Sequence, residues 1–246
     1  MTIRLAQITR HPIKSHGRED LASVLLSAGE CLPMDRHWAV AHEAAKLVPG
    51  WNPCVNFARG AKTPALMAIT AQLDGDQVTL AHPDLPTLRF RPDDADDVLR
   101  FLDWVRPLNP AGRALPAQVV KAGRGMTDTD FPSVSVLNTA TNRALSAEMG
   151  VDLSPHRWRG NLWLEGAEPW AEFGWMGKTL RIGAAILQVQ ERITRCKATT
   201  VNPDTGRIDA DTLAALQSGH GHQDFGIYAR VISGGEIALN DKVEVI

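Results

Sequence analysis

Short stretches in which apolar and polar residues alternate dominate the first hundred residues of the chain. Because successive side chains of a strand point to opposite faces, a period of two predicts β-structure. The predicted strands cover residues 3–8, 38–41, 66–71, 77–80 and 87–90. Between two of them, Asp74 and Gly75 form a pair that favours a tight hairpin turn.

One helix interrupts these strands, at residues 93–105. Its acidic first turn suits the positive end of the helix dipole, and the helix has to end before Pro107. The spacing of the apolar residues brings one set of them to a common face. That set consists of Val98, Phe101, Leu102 and Val105.

A stretch rich in Pro, Gly and Arg, residues 106–116, follows the helix and predicts a domain boundary, so we place the domains at residues 1–115 and 116–246. The second half again alternates between apolar and polar positions. Its predicted elements are strands at residues 117–120, 133–137, 161–164, 179–182, 185–190 and 241–246 and a helix at residues 139–149, closed by Gly150. Because βαβ units do not recur, this order favours a mixed, β-rich α+β protein with barrel-like β domains and a few helices over a doubly wound sheet.

The composition is ordinary for a globular protein, with 44% hydrophobic and 22% charged residues. Because 26 basic residues face 28 acidic ones, nothing in the charge predicts a nucleic-acid partner or an anionic membrane. The longest apolar runs fall far short of the roughly 20 residues that a membrane span needs. The N-terminus lacks the pattern of a signal peptide, so we expect a cytoplasmic protein.

The three cysteines, Cys31, Cys54 and Cys196, are odd in number and far apart, which argues against a disulfide framework. No C-x-x-C pair offers closely spaced ligands to zinc or to an iron–sulfur cluster. The chain also has no G-x-S-x-G and no H-E-x-x-H motif, which excludes common hydrolase classes. His220 and His222 could bind a metal, but the polar stretch around them is more typical of a flexible loop.

Cys196 has the most distinctive surroundings of the three. It lies in the segment ERITRCKATTVNPDTGRID, which starts at Glu191, among basic side chains that favour a thiolate if they point toward it. NPDTG, residues 202–206, has the residues of a tight turn, and short hairpin strands are predicted at residues 199–201 and 207–209. A lone cysteine is more often a small buried core residue, so both interpretations stay open at this point.

A second segment of interest is HPIKSHG, which contains Lys14, Ser15 and Gly17. It is not a nucleotide P-loop, because no earlier glycine completes that pattern. A cation, a hydroxyl and a following glycine can still hold a phosphate. The alternative is an ordinary solvated loop.

Two further segments place basic side chains directly before a predicted strand. Asp35 and Arg36 precede one strand, where the planar guanidinium can be presented to a phosphate. A structural Asp–Arg pair that holds a turn is an equally good interpretation. Arg157, Arg159 and Asn161 lead into another strand. These clusters meet Cys196 only if the fold brings them together.

Taken together, these segments resemble the MOSC domain proteins, which are named for the C-terminal domain of molybdenum cofactor sulfurases, with their usual N-terminal β-barrel domain. The resemblance spans nearly the whole chain in the same order. The matching pieces are PIKS at residues 12–15, Asp35 and Arg36 with Trp38, RGN at residues 159–161 and RCKATTVNPDTG at residues 195–206. Within the family, the chain is similar to stand-alone bacterial and mitochondrial members, typified by the mitochondrial amidoxime-reducing component.

The resemblance implies a bound pyranopterin molybdenum cofactor, with the thiolate of Cys196 as a direct ligand of the metal. A soft thiolate suits molybdenum, and scattered cations suit the phosphate of the cofactor. The residues implied to bind the cofactor are Lys14, Ser15, Arg36, Arg159, Asn161, Arg195 and Thr199.

The function implied is that of a molybdenum-dependent oxidoreductase that reduces N-hydroxylated substrates such as amidoximes and hydroxylamines. Asn202 or Asp204 would relay protons or orient water near the metal. Two electrons would come from a separate reductase, such as a ferredoxin-like protein or a flavoprotein, because the chain has no flavin motif. The alternative is a non-catalytic module that binds the cofactor or carries sulfur on Cys196.

The chain departs from the family pattern at two points. Ile193 and Thr194 stand where Cys-Ser is frequent, so an earlier thiol is missing from this segment. Asn202 stands where an aspartate is common, which removes a negative charge near the site. These departures bear on the substrate and the electron donor more than on the cofactor.

Overall fold

The computed structural model describes residues 2–246, which form fifteen strands and three α-helices. The elements are β1 (Ile3–Arg10), β2 (Glu19–Leu21), β3 (Ser23–Leu26), β4 (Ala39–His42), β5 (Thr70–Asp74), β6 (Gln77–His82), β7 (Leu85–Phe90), α1 (Ala95–Val105), β8 (Pro116–Val120), β9 (Val134–Asn138), α2 (Thr139–Met149), β10 (Leu162–Glu165), β11 (Thr179–Ile182), β12 (Ala185–Thr194), α3 (Thr212–His220), β13 (Asp224–Ser233), β14 (Gly235–Ala238) and β15 (Lys242–Val245). None of the helices in this part of the chain has the length and apolar character that crossing a membrane requires.

Seven of the strands close into a barrel. Around the barrel they follow the order β10, β9, β13, β12, β11, β15 and β1, and β1 pairs with β10 to complete the ring. Neighbouring strands are antiparallel except β9 and β10, which are parallel. Closure pairs the edges that an open sheet would expose. The predicted β-rich, barrel-like fold class is confirmed.

The barrel interior is filled by alternate strand residues. Ile8 of β1, Val136 of β9 and Ile227 of β13 have no exposed surface and belong to one apolar cluster. Burial of each such side chain contributes about 1.5–3 kcal/mol to the free energy of unfolding. Because side chains alternate along a strand, Ser135 and Tyr228 point to the opposite, outer face of the barrel.

A second apolar core lies in the first half of the chain, where β5, β6 and β7 form an antiparallel sheet. Helix α1 belongs to this core, and the rings of Phe90 and Phe101 stack with centroids 4.7 Å apart. The side chain of Asp94 accepts hydrogen bonds from the backbone N–H groups of Asp96 and Asp97, which begins the helix. The predicted helix and its buried face are therefore confirmed.

Hydrogen bonds connect the two halves of the chain. Strand β4 pairs with β8, and β3 pairs with β14. The first strand of the chain, β1, is itself part of the barrel, and β2 pairs with β1. The division into residues 1–115 and 116–246 stays a prediction.

Several parts of the chain fold differently from the prediction. The strand predicted at residues 66–71 is wrong at its start, because Pro64–Ala68 is a 3-10 helix and β5 begins only at Thr70. Pro64 explains this, since its fixed φ suits the first position of a helix. Helix α3 and strand β13 were not predicted, because the apolar run of α3 has no clear helical period and Gly226 interrupts β13.

Candidate functional site

A cavity of about 450 Å³ lies between the outer face of the barrel and the first half of the chain. Segments that are far apart in sequence contribute its walls. The sequence-predicted side chains that line it are Lys14, Ser15, Arg36, Arg159, Asn161, Arg195, Cys196 and Thr199. The fold thus brings the segments of Lys14, Arg36, Arg159 and Cys196 to one cavity, while the role of each residue stays a prediction.

Cys196 is exposed and lines the cavity, whereas Cys31 is buried. It follows the end of β12 and precedes a 3-10 helix, Lys197–Thr200. Its carbonyl oxygen accepts hydrogen bonds from the backbone N–H and the hydroxyl of Thr199, both at 3.1 Å. The interpretation of Cys196 as a small buried core residue is therefore wrong, and its sulfur is accessible to a ligand.

Three of the lining residues have an unusual backbone conformation. The φ angles of Ser15, Arg36 and Arg159 are 63°, 51° and 49°, in the left-handed region. Residues with a Cβ adopt this region at a cost of about 1–3 kcal/mol, and such residues concentrate at functional sites. Three of the six non-glycine residues with positive φ in residues 2–246 therefore line this one cavity.

Lys14 is buried, and its ammonium donates two short hydrogen bonds. The acceptors are the carbonyl oxygen of Met126 and the carboxylate of Asp128, both at 2.6 Å. Burial raises the pKa of Asp128, but Lys14 and Arg36 outweigh this effect and bring the pKa below its usual range. Asp128 also lines the cavity, and the sequence analysis did not single it out.

Arg36 connects two parts of the cavity wall. Its Nη1 pairs with the carboxylate of Asp35, and its Nη2 donates to the carbonyl oxygen of Arg159 at 2.9 Å. Asp35 is buried and also accepts from the backbone N–H of His11 at 2.8 Å. Burial raises the pKa of Asp35, but Arg36 and His11 lower it by more, so the carboxylate is charged.

Arg159 has an unsatisfied donor. Its Nη2 donates to the carbonyl oxygen of Gly17 at 3.3 Å, while its Nη1 is buried and has no hydrogen-bond partner within residues 2–246. Burial, together with the nearby charge of Arg36, lowers the pKa of Arg159 to about 9. An anion in the cavity would satisfy the free donor and stabilise the charged guanidinium.

The side chain of Asn161 is occupied by contacts within the protein. Its Oδ1 accepts from the hydroxyl of Ser135 at 2.8 Å and from the backbone N–H of Ser135 at 3.1 Å. Its Nδ2 donates to the carbonyl oxygen of Thr9 at 3.2 Å. Asn161 therefore shapes the cavity wall by joining β9 to β1, and these contacts use one of the two N–H groups of its amide.

Arg195 and Thr199 also bond chiefly to the protein. Arg195 donates from Nε to the carbonyl oxygen of Phe225 at 2.7 Å and from Nη1 to that of Trp158 at 2.8 Å. Burial lowers the pKa of Arg195 to about 10. Thr199 holds the carbonyl of Cys196, and Arg195 ties the preceding residue to two neighbouring segments. Both residues therefore fix the backbone around the sulfur.

The predicted NPDTG turn is present after the 3-10 helix. The backbone N–H of Gly206 donates to the carbonyl oxygen of Asn202 at 2.9 Å. The hairpin strands predicted on either side are wrong, because a single bridge between Val201 and Ile208 replaces them. The 3-10 helix Lys197–Thr200 occupies the residues of the first of these strands.

Asn202 and Asp204 are not among the residues that line the cavity in the described chain. Asp204 is 73% exposed and pairs with Arg18 at 3.1 Å. Asn202 donates from Nδ2 to the carboxylate of Asp209 at 2.9 Å. Both side chains are thus engaged by other residues of the protein, and their expected part in proton relay stays a prediction.

Among the other lining residues without an assigned role in the sequence analysis are Cys54, Arg59 and Tyr228. Arg59 donates from Nη1 to the sulfur of Cys54 at 3.1 Å, and both residues line the cavity. Tyr228 lies on β13, which was itself not predicted. The spacing of these residues in the sequence carries no signal, because only the fold brings them to the cavity.

His220 and His222 lie outside this cavity, at the end of α3 and before β13. His220 contacts the carboxylate of Glu148 at 3.0 Å. Within residues 2–246, no group of three or more His, Cys, Asp or Glu side chains is arranged to hold a metal ion. The polar stretch expected around these histidines is helical up to His220.

Comparisons with known families match both halves of the chain. The model described as MOSC domain matches residues 126–244, and the model described as MOSC N-terminal beta barrel domain matches residues 2–106. The chain belongs to the MOSC domain proteins. In this MOSC protein, residues of both matched regions line the cavity around Cys196.

Two named relatives share part of their sequence with this MOSC protein. Mitochondrial amidoxime-reducing component 1 of Danio rerio is 24% identical over 237 residues, which is 80% of this chain and 68% of that protein. Molybdenum cofactor sulfurase of Drosophila grimshawi is 36% identical over 98 residues, which is 38% of this chain and 12% of the sulfurase. The MOSC protein therefore belongs to a family related to the molybdenum cofactor.

Solved structures similar to the MOSC protein include the YUAD protein from Bacillus subtilis and YiiM from Escherichia coli. For the first, the TM-score is 0.47 at 12% identity, with 100% of this chain and 96% of that chain covered. For the second, the TM-score is 0.34 at 19% identity, with 46% of this chain and 53% of that chain covered. With TM-scores below 0.5, these similarities add nothing to the family assignment.

Proposed function

We propose that this MOSC protein is a molybdenum cofactor-dependent oxidoreductase that reduces N-hydroxylated substrates, such as amidoximes and hydroxylamines. The observation that carries the proposal is the exposed sulfur of Cys196 in one cavity with the cationic side chains of Lys14, Arg36 and Arg159. The name of the Danio rerio relative supports amidoximes as the substrate class.

The donor groups of the cavity fit a pyranopterin that carries a phosphate. In the described chain, seven Lys and Arg side chains and two carboxylates line the cavity, so its surroundings are positive. Nη1 of Arg159 is buried without a partner, as a site for an absent anion requires. The volume of about 450 Å³ is within the range of ligand cavities in proteins.

Five of the cavity residues have a defined part in this proposal. Cys196 supplies a soft thiolate as a metal ligand. Arg36 and Arg159 donate hydrogen bonds to the phosphate or the pterin, and Lys14 acts as a compact positive charge. When bound, the cofactor would supply two-electron chemistry at its metal. Ser15 contributes a hydroxyl at the same wall.

The reaction fixes what the protein has to provide. Reductive cleavage of an N–O bond consumes two electrons and two protons and releases water. The proposal assigns the electrons to a separate reductase, a flavoprotein or a ferredoxin-like protein. The protein itself positions the substrate against the site around Cys196 and delivers a proton to the departing oxygen.

The alternative function is a module that binds the cofactor without turnover or carries sulfur on Cys196. The similarity to a molybdenum cofactor sulfurase, which extends over 98 residues, supports this alternative function. An exposed thiol next to basic side chains would also suit a bound persulfide.

One experiment separates the two functions. The protein is produced in a host that makes the cofactor, its molybdenum is quantified, and an amidoxime is offered with a reduced viologen as electron donor. We expect molybdenum in the protein and formation of the amidine, with Cys196→Ala folded but inactive. Cys31→Ala, which alters a buried thiol outside the cavity, serves as the control. Cysteine-bound sulfur without molybdenum or turnover would support the carrier instead.

A further inference from the structure

Tyr228 is the single tyrosine of the chain, and it lines the cavity. Its neighbours on β13, Ile227 and Ala229, are fully buried in the barrel core, so Tyr228 points to the outer face. In the strand register it lies opposite Glu191 of β12 on one side and Ser135 of β9 on the other. All three polar residues line the cavity, and Tyr228 is at the centre of this row.

The phenol group of Tyr228 is not used by the protein. No hydrogen bond within residues 2–246 involves its hydroxyl, whereas the hydroxyl of neighbouring Ser135 is held by Asn161. Burial raises the pKa of Tyr228 to about 12, so the hydroxyl keeps its proton at neutral pH. A protonated donor that faces a cavity without a partner indicates an acceptor on the ligand.

The charges around Tyr228 act on its hydroxyl in both directions. Arg36 and Arg195 stabilise a negative charge on the phenol oxygen, while Asp128 and Glu191 oppose it. Asp128 is engaged by the ammonium of Lys14 at 2.6 Å. Tyr228 is therefore an uncommitted O–H donor on the cavity wall, which keeps its proton until a strong base such as a departing hydroxide forms beside it.

We propose that Tyr228 is a catalytic residue that donates a hydrogen bond to the oxygen of the substrate N–O group and then transfers its proton to that oxygen. This inference rests on the proposed function. Two electrons from the reductase break the N–O bond, and the departing hydroxide takes the proton of Tyr228 to become water. The nitrogen takes a second proton from solvent, and the phenolate regains its proton from solvent through the open cavity.

The first test measures binding in the absence of an electron donor. The affinity of the oxidised, cofactor-loaded full chain is compared for an aryl hydroxylamine and the corresponding aryl amine, which differ only in the hydroxyl. We expect the wild type to prefer the hydroxylamine by about tenfold and Tyr228→Phe to lose this preference. Arg230→Gln changes an exposed residue two positions further along β13. This control variant should keep the preference for the hydroxylamine. Equal preference in the wild type and Tyr228→Phe overturns the proposal.

The second test measures turnover with a reduced viologen. We expect kcat of Tyr228→Phe to fall about 100-fold, within the range for loss of a general acid, at unchanged molybdenum content. Loss of molybdenum from this variant would make Tyr228 a cofactor ligand and overturn the proposal. Absence of turnover in the wild type would refute the proposed function, whereas equal turnover in the wild type and Tyr228→Phe would refute only the role of Tyr228.

Discussion

The guanidinium of Arg36 donates a hydrogen bond to the backbone carbonyl oxygen of Arg159 at 2.9 Å. This bond joins the first half of the chain to the loop before β10, inside the wall of the cavity. Both residues have left-handed backbone, and Arg36 is held from its other side by Asp35. Contacts within the protein thus fix the spacing of two cationic groups that are distant in sequence.

Asp35→Asn should therefore be strongly destabilising. The change removes the charge partner of Arg36 in a buried pair, and such a loss costs about 3–5 kcal/mol of the free energy of unfolding. Urea unfolding at neutral pH measures this cost. Asp103→Asn is the control, because its pair with Arg106 is exposed and should contribute less than about 1 kcal/mol. Equal losses in the two variants would show that Asp35 does not hold Arg36.

His16 should make the protein less stable in mild acid. The residue is fully buried, its Nδ1 lies 2.8 Å from the carbonyl oxygen of Lys14, and burial lowers its pKa from 6.5 to about 4. Below pH 6.5 the unfolded chain takes up a proton at His16 that the folded protein does not bind. The free energy of unfolding therefore falls as the pH decreases from 6.5 to about 4. His16 alone accounts for about 3 kcal/mol of this loss.

The variant His16→Asn checks this dependence, because the amide can still donate to the carbonyl oxygen of Lys14. We expect the free energy of unfolding of this variant to change less between pH 7 and pH 4 than that of the wild type. His11 is also buried with a lowered pKa, so part of the pH dependence of the free energy of unfolding should remain in this variant. The same pH dependence of the free energy of unfolding in His16→Asn and in the wild type would contradict the role given to His16.

A side chain at Gly206 should be strongly destabilising. Its φ is +67°, and a Cβ would lie 2.8 Å from the Cα of Ala65. Gly206→Ala therefore combines backbone strain with a clash, and we expect a loss of about 3 kcal/mol in urea unfolding. Gly75→Ala is the matched control, because its φ is +60° but a Cβ meets no atom within 4 Å. It should cost about 1 kcal/mol, and equal costs would show that the contact with Ala65 is not tight.

Arg157 should stabilise the segment that carries Cys196. It is 1% exposed, and it donates to the carbonyl oxygen of Thr199 at 3.0 Å and to Asp209 at 3.1 Å. Arg157→Gln should lower the free energy of unfolding by about 3 kcal/mol and speed amide hydrogen exchange in residues 197–200. Arg143→Gln, which breaks an exposed pair, is the control and should change neither quantity by much. Unchanged exchange in Arg157→Gln would exclude this role.

The sequence predicted the local elements of the fold better than its long-range pairing. The alternating stretches and the helix capped by Asp94 were predictable, because their signals lie within a few residues. Closure of the barrel depends on the pairing of β1 with β10, for example Leu5 opposite Leu164, and no local pattern encodes it. Pro64 was a local signal that the prediction did not use.

The candidate site was predictable where residue type alone indicates chemistry. Residue type made Cys196, Lys14, Arg36 and Arg159 candidates, the resemblance to the MOSC family gave them their expected roles, and the fold brings them to one cavity. Tyr228 and the contact between Arg59 and the sulfur of Cys54 were not, because they depend on strand register and side-chain placement. The position of Asp204 outside the cavity lining was not predictable either, since the direction of a turn is set by what it packs against.

The central claim is that the sulfur of Cys196 binds molybdenum, and X-ray absorption at the molybdenum edge tests it most directly. The cofactor-loaded wild type is compared with Cys196→Ser and with Cys54→Ser, which removes the other thiol of the cavity. We predict that Cys196→Ser loses one sulfur neighbour of the metal and that Cys54→Ser keeps all of them. The same number of sulfur neighbours in the wild type and in Cys196→Ser would contradict the account.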